Sequence, residues 1–253
     1  MPQSSCNLLG RFCLLFMALL TAFWLVGCSG GKSAQPAVNP SGAAVAAPQD
    51  SLRAKFLLTI VQADDKEQSL DAVLFSVPGK RYRMELTGPM GIGVASLLWT
   101  EESWLMTFPM EKLYVKGAGY MVGLLNDNTL PLVHIHQVAA LFEGKLLPEK
   151  YERLDSTGSV VKAVDGAGRK FSYEVKDSHV VRLSYDGRNG LTETLRFSNF
   201  REFEGRTVPE IIVFEQGDRK FLEIKIKKVN HNKPFSGGTW KLNVPRSFTP
   251  VES

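Results

Sequence analysis

The stretch FSYEVKDSHVVRLSYDG, residues 171–187, decides the fold class. Phe171, Tyr173 and Val175 alternate with Ser172, Glu174 and Lys176, and further on Val181, Leu183 and Tyr185 alternate with Arg182, Ser184 and Asp186. A period of two places every second side chain on one face of a pleated strand, so each run reads as a strand with one buried and one wet face. Asp186-Gly187 closes the stretch with turn chemistry.

The same pattern recurs outward in both directions. Tyr82, Met84 and Leu86 alternate with Arg81, Arg83, Glu85 and Thr87, and Leu222, Ile224 and Ile226 alternate with Glu223, Lys225 and Lys227. Pro78-Gly79, Asp165-Gly166, Asn189-Gly190 and Gln216-Gly217-Asp218 break the runs. Further strands are expected at 54–63, 69–77, 93–100, 103–108, 111–116, 193–200, 209–215 and 239–244. About ten or eleven antiparallel strands at this spacing predict a mainly β chain folded as one large curved sheet or barrel.

Two segments depart from period two. Tyr120, Met121, Leu124 and Leu125 fall at helical spacing, as do Val138, Leu141 and Phe142 within residues 133–143, which Gly144 stops. Two short helices inserted in an all-β chain either cover the concave face of the sheet as a lid or pack on its convex side. Both placements stay open.

The N-terminus has its own signature. Arg11 is the only charge in residues 1–27, residues 12–20 are unbroken apolar sequence, and Thr21 barely interrupts the run to Val26. That makes about 15 apolar residues, the size of a signal-peptide core of roughly 7–15 and short of the ~20 that a spanning helix needs. The run ends in LVGC, residues 25–28, which resembles the lipobox of bacterial lipoproteins. The resemblance implies cleavage before Cys28, acylation of Cys28, and attachment to a membrane by acyl chains, where several chains hold durably and one is marginal. Cutting there leaves 226 of the 253 residues, enough for one domain with a sizeable core. Cys6 and Cys13 lie in the leader, so an acylated Cys28 leaves no cysteine for a disulfide.

Residues 29–50, SGGKSAQPAVNPSGAAVAAPQD, read as a flexible linker. As a coil it spans roughly 25 Å on average and up to about 70 Å stretched. The chain thus divides into a leader at 1–27, a lipidated Cys28 with linker at 28–50, and a domain at 51–253. The net charge of +4 becomes +3 once Arg11 is lost, and no run of five or six like charges exists. A nucleic-acid partner has no electrostatic footprint here.

Three further motifs carry a resemblance. RYRMELTGPMG at 81–91 is a strand ending in a Pro-apolar-Gly loop; Leu130-Pro131-Leu132 leads into a helix from His134 to Phe142 closed by Gly144; PEIIVFEQGDRKFLEIKI at 209–226 is a hairpin opened by Pro and reversed by Gly. In order and spacing, residues 53–245 resemble the LolA/LolB superfamily, most closely outer-membrane lipoprotein receptors of the LolB kind. The lipobox speaks against a soluble carrier. The resemblance implies a single unclosed antiparallel β-barrel with short helices as a lid and an apolar cavity for acyl chains. It further implies an outer-membrane location on the periplasmic face, acylated lipoprotein cargo, and delivery by a soluble LolA-like carrier. Ser29, which follows Cys28, is not the aspartate associated with inner-membrane retention in enteric bacteria.

Candidates for the cavity and its lid are Met84, Leu86, Trp99, Trp104, Met121, Leu124, Leu125, Leu141, Phe142, Phe197 and Phe214. Taken singly, each aromatic reads first as ordinary core; the cavity is what the resemblance implies. Residues 88–93, GPMGIG, carry the sharpest local feature, an apolar tip of Pro89, Met90 and Ile92 on a glycine-rich loop. LolB-like proteins carry a membrane-inserting leucine where this chain has Met90. Met keeps the size and polarity, and the bland alternative is a hairpin whose Met folds back onto the sheet.

Nothing points to catalysis. His134 and His136 stand two apart on a predicted helix and face different ways, and no cysteine joins them, so no metal site is expected. Gly91-Ile92-Gly93 lacks the third glycine of a dinucleotide fingerprint, and no nucleophile elbow, P-loop or HExxH occurs. No cofactor and no enzymatic activity are expected. Lys225, Lys227 and Lys228 read as a solvated strand face, with anionic headgroups or an acidic carrier as the sharper alternative. The rival function is a structural or assembly envelope lipoprotein whose curved sheet binds a protein partner.

Overall fold

A computed structural model describes residues 51–62, 64–119, 135–187 and 190–251. The expected leader, Cys28, the linker and the helical pattern at Tyr120, Met121, Leu124 and Leu125 lie outside the described residues.

Two antiparallel meanders build one sheet. The first comprises β1 (Leu52–Val61), β2 (Glu67–Val77), β3 (Arg81–Thr87), β4 (Gly93–Thr100), β5 (Ser103–Phe108) and β6 (Leu113–Ala118). The second comprises β7 (Tyr151–Thr157), β8 (Val160–Asp165), β9 (Lys170–Lys176), β10 (His179–Asp186), β11 (Thr192–Phe203), β12 (Arg206–Gln216) and β13 (Arg219–His231). They join where β1 pairs antiparallel with β13, from Leu52 opposite His231 to Ile60 opposite Leu222. A two-residue β14 (Thr249–Pro250) adds in parallel to β6, completing a 14-stranded sheet with β14 and β7 at its edges. No pairing joins these edges among the described residues, so the sheet is unclosed.

Alternation sets the core. Leu52, Ala54, Leu74, Met84, Leu97, Phe171, Leu183, Phe197, Ile212 and Ile224 are buried in one cluster, while their chain neighbours face outward. Register shifts between Lys55 and Phe56, so β13 carries Lys227 as an extra residue, a β-bulge, and Lys227 reaches Asp71 at 2.5 Å.

The only described α-helix is α1 (Ile135–Phe142), which buries Ile135, Val138, Ala139, Leu141 and Phe142, the i, i+3, i+4, i+7 stripe of a helix lying on a core. It packs on the core face, because Phe142 meets Phe56. Gly144 ends it: Gly144 donates to the Leu141 carbonyl (3.1 Å) and Lys145 to the Ala140 carbonyl (3.0 Å), a Schellman cap that needs the positive φ of 78° at Gly144. This turn seats where β12 and β13 part. Their pairing is recorded only from Ile211 opposite Lys225 onward, so Pro209, which lacks an N–H, costs that ladder nothing.

The sequence expectation of a strand at 239–244 is corrected. A 3-10 turn occupies Gly237–Trp240, and the chain beyond it is irregular until β14. Arg83 Nη1 donates to the carbonyls of Thr239 (2.9 Å) and Lys241 (2.8 Å), oxygens that a strand would have offered to a neighbouring strand. Phe235 packs on Phe75 (5.6 Å) and Trp240 (5.5 Å), and the Arg81 guanidinium lies 4.4 Å above the Trp240 ring. The C-terminal segment is a strap across the outer face of β2 and β3.

The strand count exceeds the expected ten or eleven, chiefly through β7 and β8. After Tyr151 every side chain of β7 is exposed, and β8 carries valine on both faces, so neither shows period two. Glu152, Arg153 and Asp155 keep the β7 edge charged, a guard against edge-to-edge pairing.

Candidate functional site

Two places gather the residues singled out from sequence: the core face and the turn at 88–92. On the core face, Met84 of β3, Trp99 of β4, Phe197 of β11, Phe214 of β12, and Leu141 and Phe142 of α1 are buried in one cluster, with Leu86 and Trp104 partly buried against it. Cross-strand pairing builds the contacts: Trp99 stands opposite both Tyr82 and Trp104, and Phe214 opposite both Leu195 and Leu222. Trp104 lies flat over β6 only because position 117 is glycine; a Cβ there would sit 2.6 Å from the ring. Met121, Leu124 and Leu125 fall outside the described residues, as does Cys28.

This face is filled by side chains among the described residues. Phe56, Phe142, Leu74, Ile212 and Ile224 are all at most 1% exposed. A cavity of about 580 Å³ opens instead on the opposite face, where Lys162, Ser172, Glu174, Arg182, Ser184 and Thr192 line it. Those residues alternate with Ala163, Phe171, Tyr173 and Leu183 of the core, so the groove belongs to the wet side of the sheet.

Residue spacing does not single out the half-buried His136. Its ring stands edge-on to Trp99 (4.4 Å) and Tyr82 (4.6 Å), tying α1 to β3 and β4 through aromatic packing. No group of His, Cys, Asp or Glu suited to a metal ion occurs among the described residues.

In the turn after β3, Pro89–Gly91 form a 3-10 turn in which Met90 (φ 61°) and Gly91 (φ 77°) both take left-handed conformations. Gly88 donates to the Ile92 carbonyl (2.8 Å), closing the loop at its base. Met90 is 94% exposed and Ile92 45%. A methionine thus stands clear of the sheet on a strained backbone that the loop holds in place.

Burial opposes ionisation of Asp165 at the β8 terminus, but the backbone N–H groups of Arg169 and Ala167, with the Arg169 guanidinium, hold it below the ordinary carboxylate range. Burial pushes the nearby Tyr185 phenol up. Asp165 thereby fixes the 166–169 turn through bonds of 2.9 Å to Ala167 N, Arg169 N and Arg169 Nε.

No protein-family model matches the chain, and no curated protein matches it in sequence. Solved structures share its architecture. A LolA superfamily protein from Nitrosomonas europaea superposes with a TM-score of 0.53 at 13% identity, over 77% of this chain and 91% of that one. A DUF1329 family protein from Desulfovibrio piger superposes with a TM-score of 0.52 at 11% identity, over 76% of this chain and 90% of that one. The chain has the fold of a LolA superfamily protein: one large unclosed antiparallel sheet with its core on one face.

Proposed function

We propose that this protein is a lipid-anchored receptor on the periplasmic face of the outer membrane, which accepts acylated lipoprotein cargo from a soluble LolA-like carrier and passes it to the membrane. The observation that carries the reading is the apolar face of the unclosed sheet with α1 laid across it. Among the described residues, one eight-residue helix lies on that face and no second sheet backs it. The lipobox at 25–28 supplies the anchor through acylated Cys28, and the exposed Met90 with Pro89 and Ile92 supplies an apolar probe for the bilayer.

No covalent bond is made or broken. Cargo chains enter as α1 lifts, and the lining consists of core-face groups: Trp99, which packs against α1, and Met84, Phe197 and Phe214 of the same cluster. The drive for release is the fuller burial of each methylene in a bilayer, about 0.8 kcal/mol per group. The fold match, the lipobox and the exposed turn support this assignment together.

Native mass spectrometry of the full chain released from mild detergent tests it. Bound acylated species are expected, and Met90→Glu should keep the fold while blocking delivery. A protein that never carries lipid, or normal delivery by the variant, would contradict the receptor reading or remove the turn from it, respectively.

One observation favours a second reading. The core face is filled in the described structure, as in a scaffold whose sheet serves a protein partner in envelope assembly. A clean lipid-free mass together with one stoichiometric protein partner would decide for that reading.

A further inference from the structure

The hairpin turns divide between the two ends of the sheet, and the exposed apolar side chains do not divide with them. Pairing registers place turns 62–66, 88–92, 109–112, 166–169, 187–191 and 217–218 at one end. Turns 78–80, 101–102, 158–159, 177–178 and 204–205, with the chain entry at Ser51, lie at the other. At the first end stand Met90 (94% exposed), Ile92 (45%), Met110 (46%) and Leu191 (49%). Among the described residues, the turns of the second end are PGK, EE, GS, DS and EG, with no large apolar residue; residues 120–134, which follow β6 at that end, lie outside the described residues. The remaining exposed large apolar residues, Leu154 and Val160, lie in strands β7 and β8.

We propose that the whole end bearing turns 88–92, 109–112 and 187–191 is a bilayer-docking surface, on which Met110 and Leu191 enter the lipid interface alongside Met90 and Ile92. The inference rests on the preceding reading that the protein works at a membrane, and extends it from one loop to three.

Three features select a bilayer over a protein partner. The apolar tips are single side chains on separate turns, and the 88–92 and 187–191 turns lie several strands apart, about 25 Å along the sheet at ~4.8 Å per strand. A protein hot spot gathers its apolar groups into one patch, whereas a fluid interface receives scattered tips equally well. Secondly, several charges at this end pair with one another: Lys66 with Asp64 (2.6 Å), Lys220 with Glu67 (2.9 Å), Arg169 with Asp165 (2.9 Å) and Arg219 with Asp65 (3.8 Å). Those pairs mute part of the field that an oppositely charged partner would complement, and the tips themselves offer apolar contact. Thirdly, the chain outside the described residues is long enough. β1 runs for ten residues, about 33 Å, from Ser51 at the far end to the docking end. The 22 residues at 29–50 reach up to about 70 Å, so an anchor at Cys28 leaves this end free to meet the same bilayer.

The test uses the full lipidated chain in vesicles of phosphatidylethanolamine and phosphatidylglycerol. Single cysteines placed by Met90→Cys, Met110→Cys, Leu191→Cys and, as controls, Leu154→Cys and Val160→Cys carry an environment-sensitive fluorophore, and the vesicles carry spin-labelled lipid. Severalfold quenching at 90, 110 and 191, little changed between 0.05 and 0.5 M salt, and none at 154 or 160, is expected. Quenching at 90 alone overturns the three-turn surface and leaves the receptor reading intact. Quenching at no turn, or equally at the controls, overturns the surface and also removes the membrane role of Met90.

Discussion

Phe142 of α1 meets Phe56 of β1 edge-on, with ring centroids 4.9 Å apart and planes at 61°. Both rings are at most 1% exposed. This contact fastens the single described helix to the strand that joins the two meanders.

Phe142→Ala should destabilise the fold by about 3–4 kcal/mol, the range for removing a fully buried ring and leaving a cavity. Urea unfolding followed by near-ultraviolet circular dichroism measures it. Hydrogen exchange should rise first along α1, because the lost contact is the helix's own.

Gly144→Ala should cost about 1–2 kcal/mol. The new methyl must adopt a φ of 78° and would stand 3.1 Å from the Thr207 carbonyl oxygen. Thermal unfolding of the pair of proteins checks this, and an exposed glycine such as Gly93, which has open space at Cβ and a negative φ, serves as the control.

Arg83→Ala should free the strap. Its guanidinium holds the carbonyls of Thr239 and Lys241 and pairs with Glu85 at 2.5 Å. Limited proteolysis should then cut near residues 236–245 at least tenfold faster, with the sheet left intact. An unchanged cleavage rate would place the strap's hold in Phe235 and Trp240 instead.

Stability should fall with acid in two steps. Burial, then Arg206, lowers the His231 pKa below its ordinary 6.5; the His231 backbone N–H, then the Asn230 side chain, lower that of Glu204 below 4.5. In both cases the unfolded chain binds protons that the folded one refuses, so stability rises with pH. The His231 contribution is present above about pH 6.5 and lost as pH falls through the lowered folded value; that of Glu204 is lost in the same way below about 4.5. Urea midpoints between pH 8 and pH 4 should show both, and His231→Gln should erase the upper step.

Much of the architecture is legible in sequence because alternation and burial are the same fact. Phe171, Tyr173, Leu183 and Ile224 announce their face by position, and Gly144 announces the helix end. β7 is silent because an edge strand with wet surroundings needs no pattern, and the 239–244 run misleads because Arg83 competes for its carbonyls across 156 residues of chain. The candidate site divides likewise. Local chemistry marks Met90, but Met110 and Leu191 gain meaning only from a register that places three turns at one end. His136 joins Trp99 and Tyr82 through tertiary packing that no spacing rule encodes.

Photo-crosslinking tests the central claim most directly. Benzoylphenylalanine replaces Phe214 on the core face, or its neighbour Val213 on the opposite face, in the full lipidated chain, which is then irradiated while a lipoprotein with labelled acyl chains is delivered. The account predicts labelled adducts at 214 and none at 213. Delivery that proceeds with no adduct at 214, or with adducts at 213 alone, would show that acyl chains never pass along the core face.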